Sequence, residues 1–279
     1  MDLKKYNLGI WVVLRKDGTV LYSAKDLALA EKKFRDFPKL SKSITTLGDE
    51  QDLHFKQLRK TLELSKVDYA EKVTHLPFGM VRLPTGKMSS RTGDNILYSD
   101  FIEEVTDHTK KEIKKRNSKI SKTELEKRGL KVAIAGIKYS MLKQNPSKII
   151  VFNKEEALKS EGDTGPYLLY SYARAKSILK KTKKRESKLE LKELDPKEIE
   201  LVKKLSQFSE TIENAYKNLN PSVIANYSYQ LSQTFNEFYH ECPVIGSEKE
   251  KFRMLLVEGF SKILKTSLNL LGIETLEEM

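Results

Sequence analysis

The apolar positions of this chain change their period partway along it. Up to about residue 100, short β-branched and aromatic runs alternate with helix-period segments. Residues 8–15, LGIWVVLR, read as a strand, Asp17-Gly18 as a turn, and Thr19 to Ser23 as a returning strand, which predicts a hairpin. A helix is expected from about Asp26, with Leu27, Ala30 and Phe34 on one face. Residues 43–47, SITTL, predict a small buried strand ending at Gly48. DEQDLHFKQLRKTLEL then predicts a helix whose first turn carries Asp49 and Glu50, the charge that suits the positive end of a helix dipole. Residues 73–82 read as a further strand. Strands alternating with helices and joined at glycines predict an α/β fold with a parallel sheet.

Beyond residue 100 the period is helical throughout. Leu130 to Lys143 places Val132, Ala135, Tyr139 and Leu142 on one side. Pro196 to Leu219 reads as one helix with Ile199, Val202, Leu205, Phe208, Ile212 and Tyr216 as its stripe. Pro221 to Tyr239 offers Ile224, Tyr227, Leu231, Phe235 and Phe238. Phe252 to Leu271 offers Phe252, Leu255, Leu256, Phe260, Ile263, Leu264, Leu268 and Leu271. One-sided stripes of this kind pack into an all-α helical bundle. Between them, KKTKKRESKLELK (Lys180 to Lys192) reads either as a solvated linker or as a phosphate-contacting strip.

Length and composition change this picture in four ways. A chain of 279 residues suggests about two domains. No apolar run approaches the roughly 20 residues of a membrane span, and the basic N-terminus lacks a small-residue cleavage site. The single cysteine, Cys242, leaves no internal disulfide and fits a reducing, cytoplasmic compartment. A net charge of +12 has two readings: solvating lysine, or a polyanionic partner whose phosphates the cations neutralise.

The candidate chemistry concentrates in GMVRLPTGKMSSRTG, Gly79 to Gly93. Lys87 and Arg91 supply charge, Ser89 and Ser90 hydroxyls, and Gly86 and Gly93 backbone freedom. That set suits a loop closing on a triphosphate whose charge develops in a transition state. A plain surface turn is the alternative from these residues alone. Neither GxGxxG nor GxxxxGK[ST] is present. Upstream, Tyr22 and Asp26 are four residues apart, so a helical first turn places both on one side. A carboxylate there could pair with a guanidinium or simply cap the helix.

KMSSR resembles the KMSKS signature of class I aminoacyl-tRNA synthetases. HLPFGMVRLPTG before it, DNILYSDFIEEV after it and DGTVLYSAKDLALA upstream are similar to arginyl-tRNA synthetases in particular. The resemblance continues in the family's order through VAIAGIKYSML, EGDTGPYLLYSYARAKSIL, FNEFYHECPVI and LLGIETLEEM. It implies a partial nucleotide-binding, Rossmann-like α/β fold followed by an all-α helical bundle. The expected division is a catalytic portion over 1–108, a helical connecting region over 109–160 that contacts the tRNA stem, and an anticodon-binding domain over 161–279.

The resemblance also implies roles. Lys87, Ser89, Ser90 and Arg91 would act on ATP, which enters with Mg2+ as a substrate; no resident metal site is expected. Gly48, His54, Met80 and Val81 would lie at the nucleotide, although His54 also reads as a packing histidine. Tyr22 and Asp26, with Gln51, would hold the side chain of L-arginine. Tyr170, Arg174, Tyr239 and Met279 would approach the anticodon stem-loop of tRNA(Arg), while Tyr167 and Tyr172 would be core.

One family feature has no counterpart. His54, His75, His108 and His240 are too far apart in sequence to form the H-x-G-H pair of the first half of the class I fold. The family's N-terminal tRNA-elbow domain has no match either. The chain therefore reads as a C-terminal portion: a fragment, one product of a split gene, or a paralogue that binds tRNA without catalysis. An unpaired edge on a truncated parallel sheet would be unfavourable, which favours a second chain supplying the other half.

Overall fold

The β-branched run Ile44-Thr45-Thr46 lies in a strand, Ser43–Gly48 (β1), and Val73–Phe78 (β2) pairs with it in parallel, from Ser43 opposite Val73 to Gly48 opposite Phe78. The computed structural model describes residues 1–82, 84, 97–181 and 193–279; Lys87, Ser89, Ser90 and Arg91 lie outside these, as does residues 182–192 of the lysine-rich stretch. Two compact units emerge: residues 1–80 with 146–149, and residues 81–145 with 150–279.

In the first unit, Tyr22–Asp36 (α1) precedes β1, and Asp52–Leu64 (α2) connects β1 to β2 through a short 3-10 turn, Asp49–Gln51. The core gathers Leu3, Trp11, Ala30, Phe55, Leu58, Leu62, Ala70 and Val73, and Leu27 and Phe34 pack against it as expected. The hairpin forms only in part. Thr19 N–H donates to Asp17 Oδ1 at 2.9 Å and Gly18 adopts a positive φ, so the turn is present. Its arms meet in one isolated antiparallel bridge, Leu14 with Val20, and in backbone bonds from Arg15 N–H to Thr19 O and from Leu21 N–H to Val13 O, while Ile10 bridges to Asp2 outside the hairpin. Tyr22 and Ser23 belong to α1 rather than to a returning strand, because the Ser23 hydroxyl donates to the Val12 carbonyl at 2.6 Å and pins the first helical turn there. Asp26 thus sits in the second turn of α1, past the cap position.

The strand expected over 73–82 divides. Gly79 N–H donates to Pro146 O at 2.7 Å, and a Cβ at Gly79 would fall 2.0 Å from the Lys148 carbonyl oxygen, so glycine is required where the two segments touch. Val81–Arg82 (β3) then pairs in parallel with Ile150–Val151 (β4) in the second unit.

The second unit is otherwise helical: Tyr98–Arg116 (α3), Lys122–Leu142 (α4), Lys154–Ala157 (α5), Gly165–Lys181 (α6), Pro196–Ser206 (α7), Phe208–Asn218 (α8), Ser222–Glu241 (α9) and Glu250–Leu270 (α10). α3 runs through residue 108 as one helix. Every stripe residue named for α9 is buried, and Phe235 stacks on Phe260 of α10 with ring centroids 3.7 Å apart.

The single helix expected over 196–219 is two helices. Ser206 Oγ donates to Lys203 O at 2.8 Å and Tyr227 Oη to Lys204 O at 2.9 Å. A single residue, Gln207, separates α8 from the end of α7. The buried positions of α7 are Glu198 and Leu201, whereas Ile199, Val202 and Tyr216 of the expected stripe are exposed, Tyr216 to 79%. Leu255 of α10 is exposed as well.

Glu198 is 0% exposed and anchors an ion-pair clamp. Arg253 donates to Glu198 Oε1 and to Asp195 Oδ2 at 2.6 Å each and to Pro243 O at 2.7 Å, and Lys249 donates to Asp195 at 2.9 Å. Asp195, Glu198 and the buried Cys242 lie close enough to share a cation, but both carboxylates already face these two side chains. Burial pushes the Cys242 thiol up, away from thiolate. Among the described residues, no helix is long and apolar enough to cross a membrane.

Candidate functional site

Two clusters, one in each unit, each bring several of the expected site residues together. In the first, α1 carries Tyr22 and Asp26 one turn apart, and α2 carries His54 opposite them. His54 Nε2 lies 2.7 Å from Asp26 Oδ2, and the Tyr22 ring lies 4.9 Å from the imidazole, centroid to centroid. On the far side, the Trp11 indole N–H donates to His54 Nδ1 at 3.3 Å. His54 is buried, 8% exposed, whereas the Asp26 side chain is 34% and Tyr22 63% exposed. An open carboxylate and phenol therefore sit on a buried imidazole.

Gln51 closes the 3-10 turn three residues before His54 and is half-buried. Gly48, at the end of β1, is buried, and the Glu50 side chain folds back over it. Met80 is exposed, and Val81 is half-buried in β3 of the second unit. Trp11 was not among the residues singled out in the sequence. Its signal is chemical: a buried indole N–H needs an acceptor, and the four histidines are natural ones.

Near this cluster, a hydrogen bond from Lys56, supported by His75, holds the Asp52 carboxyl below the usual carboxylate range. The exposed apolar side chains Ile10, Val12, Leu14 and Val20 of the partial hairpin, and Ile44, Leu47 and Phe78 of the sheet, lie in the same unit. Parallel sheets are normally covered on both faces.

The second cluster is a groove of about 760 Å³ in the helical unit, lined by Tyr170, Arg174, Tyr239 and Met279 together with Arg128 and Ile245. α6 supplies Tyr170 and Arg174; α9 supplies Tyr239. The Arg174 guanidinium lies 5.0 Å from the Tyr170 ring centroid and 5.4 Å from that of Tyr239, within cation–π range of both. Arg174 Nη1 also donates to Asn236 Oδ1. Asn236 Nδ2 in turn donates to Tyr167 Oη at 2.8 Å and Ser171 Oγ at 2.9 Å. Sequence reasoning did not single out Asn236. Tyr172 is buried and Tyr167 packs against the core, as expected for both.

Charge in the groove is shared. Glu278 meets Arg128 at 3.3 Å, and Glu277 meets Lys176 and Lys180 at 3.4 Å each. Lys176, with Lys180, holds the Glu277 carboxyl below its ordinary range. A second cavity of about 550 Å³ shares Arg128, Tyr170 and Met279 with the groove.

Residues 1–154 match the catalytic domain of class I tRNA synthetases (R), and residues 168–279 match the DALR anticodon binding domain. The chain is 37% identical to the arginine–tRNA ligase of Flavobacterium psychrophilum, across all of this chain and 47% of that protein. It is likewise 37% identical to that of Clostridium acetobutylicum, across 99% of this chain and 49% of the relative. Thermus thermophilus arginyl-tRNA synthetase superposes with a TM-score of 0.86 at 29% identity, over 96% of this chain and 51% of that one. The Plasmodium falciparum arginyl-tRNA synthetase superposes with a TM-score of 0.80 at 26% identity, over 96% and 46%. The chain thus spans about half the length of the curated relatives it matches. With a class I catalytic match over more than half of its residues and an anticodon-binding match over most of the remainder, the chain belongs to the arginyl-tRNA synthetase family.

Proposed function

We propose that this chain supplies the arginine-binding and anticodon-binding parts of an enzyme that attaches L-arginine to tRNA(Arg) with ATP. The observation that carries the reading is the open Tyr22–Asp26 pair on α1: a phenol and a carboxylate on one face suit a guanidinium, through charge-assisted paired hydrogen bonds. Gln51 is the third proposed arginine ligand. Gly48, Met80 and Val81 are proposed to lie along ATP, carried with Mg2+. Lys87, Ser89, Ser90 and Arg91 are proposed to stabilise charge on the triphosphate as adenylate forms. Tyr170, Arg174, Tyr239 and Met279 are proposed to take unstacked anticodon-loop bases on their aromatic and cationic surfaces. We keep the division into a catalytic portion over 1–108, a stem-contacting region over 109–160 and an anticodon-binding domain over 161–279, acting in the cytoplasm.

Adenylation in this reading needs a HIGH-type histidine pair from a complementary N-terminal half, on this polypeptide or on a separate one. The exposed apolar side chains of β1, β2 and the partial hairpin support such a covering half. The test is arginine-dependent ATP–pyrophosphate exchange, with residues 1–279 alone and with candidate N-terminal halves from the same genome added. Exchange only on addition supports the divided enzyme. A second reading, a tRNA-binding protein without catalysis, is favoured by the groove lying wholly within the helical unit. No exchange with any complement, alongside specific tRNA binding, would select it.

A further inference from the structure

We propose that His54 is a positioning residue for Asp26, locked by Trp11 as the neutral imidazole that carries its proton on Nε2. The proposal rests on the reading of Asp26 as the arginine ligand. An indole N–H can only donate, so His54 Nδ1, 3.3 Å from Trp11 Nε1, presents its lone pair. The remaining proton of a neutral ring then lies on Nε2, 2.7 Å from Asp26 Oδ2, where it donates to the carboxylate. The ring has little room to turn over. It is buried, and its centroid lies 4.9 Å from Tyr22, 5.5 Å from Trp11 and 5.8 Å from Phe55.

Asp26 is oriented by the Nε2–H donor at Oδ2, while its side chain stays 34% exposed for a guanidinium ligand. Both ring nitrogens are also engaged, which leaves neither for a hydrogen bond to a nucleotide. His54 acts at the nucleotide, in this arrangement, by packing alone.

The experiment combines imidazole ¹⁵N NMR of the full chain at neutral pH with calorimetric binding of L-arginine. The expected spectrum shows the Nε2–H tautomer in the wild type and its loss in Trp11→Phe. Arginine affinity should fall about tenfold in His54→Ala and recover in His54→Gln, whose amide can donate to Asp26 in place of Nε2. A wild-type ring that is charged, or that carries its proton on Nδ1, overturns the proposal without any ligand. Unchanged affinity in His54→Ala, with Asp26→Asn still impaired, overturns it alone. Unchanged affinity in Asp26→Asn, or no arginine binding by the wild type, overturns the ligand reading and this proposal with it.

Discussion

Asp26 and Glu198 are carboxylates placed in opposite surroundings, and their substitution should have opposite kinds of effect. The Asp26 side chain is 34% exposed with His54 Nε2 behind it, so Asp26→Asn should leave the fold intact. Arginine affinity should drop by on the order of 2–5 kcal/mol while ATP affinity holds, if the pair with the guanidinium is desolvated. Equal losses for both substrates in calorimetric titration would point to a folding defect instead. Glu198 is enclosed, with Arg253 at 2.6 Å. Glu198→Ala takes one of three acceptors from a buried guanidinium and leaves Asp195 and Pro243 O, which costs about 1–3 kcal/mol and should lower the melting temperature of the helical unit by on the order of 5 °C. Scanning calorimetry measures this, and an unchanged melting temperature would mean that Asp195 and Pro243 O satisfy Arg253 by themselves.

The elements place these residues by close approach. A Cβ at Gly165 would lie 2.2 Å from the Ala135 carbonyl, so α6 crosses α4 in backbone contact. Gly165→Ala should force the helices apart, at a cost of about 1–3 kcal/mol. Because α6 carries Tyr170 and Arg174, the same change should weaken tRNA binding; chemical denaturation and filter binding on one sample test both. The chain's last residues are fastened by charge: Glu274 to Lys131, Glu277 to Lys176 and Lys180, and Glu278 to Arg128. Lys131 lowers the Glu274 carboxyl and Lys176 that of Glu277. A depressed carboxyl contributes above its unfolded value and loses that contribution as pH falls through its folded one. The protection of residues 274–279 from hydrogen exchange, taken relative to the intrinsic amide rate at each pH, should therefore fall towards about pH 3 and recover at neutrality; protection that ignores pH would show that packing alone holds the tail. Period and composition made α2, α9 and β1 legible in advance, but not β4, a two-residue strand in the region expected to be wholly helical. The break after Ser206 was not legible: the contact beside it, Tyr227 with a carbonyl of α7, spans 23 residues of sequence. The Trp11–His54–Asp26 chain was hidden for the same reason: its members come from three segments that only the fold brings together.

At the scale of the whole molecule, each of the two units has its own apolar core. The net charge of +12 offers long-range attraction to nucleic acid without sequence preference. In the proposed reading discrimination comes from the groove, where Arg174 lies over Tyr170 and Tyr239. The two contributions separate in salt, since phosphate contacts weaken with ionic strength while base contacts set the preference that remains. The most direct measurement is a salt titration of binding by residues 1–279 to tRNA(Arg), to tRNA(Arg) with an altered anticodon, and to a non-cognate tRNA. Affinity for all three should fall steeply with salt, with tRNA(Arg) retaining a clear preference at moderate ionic strength that Arg174→Ala abolishes. Equal binding of the three across the titration would make the charge a generic polyanion surface and contradict the anticodon-binding role.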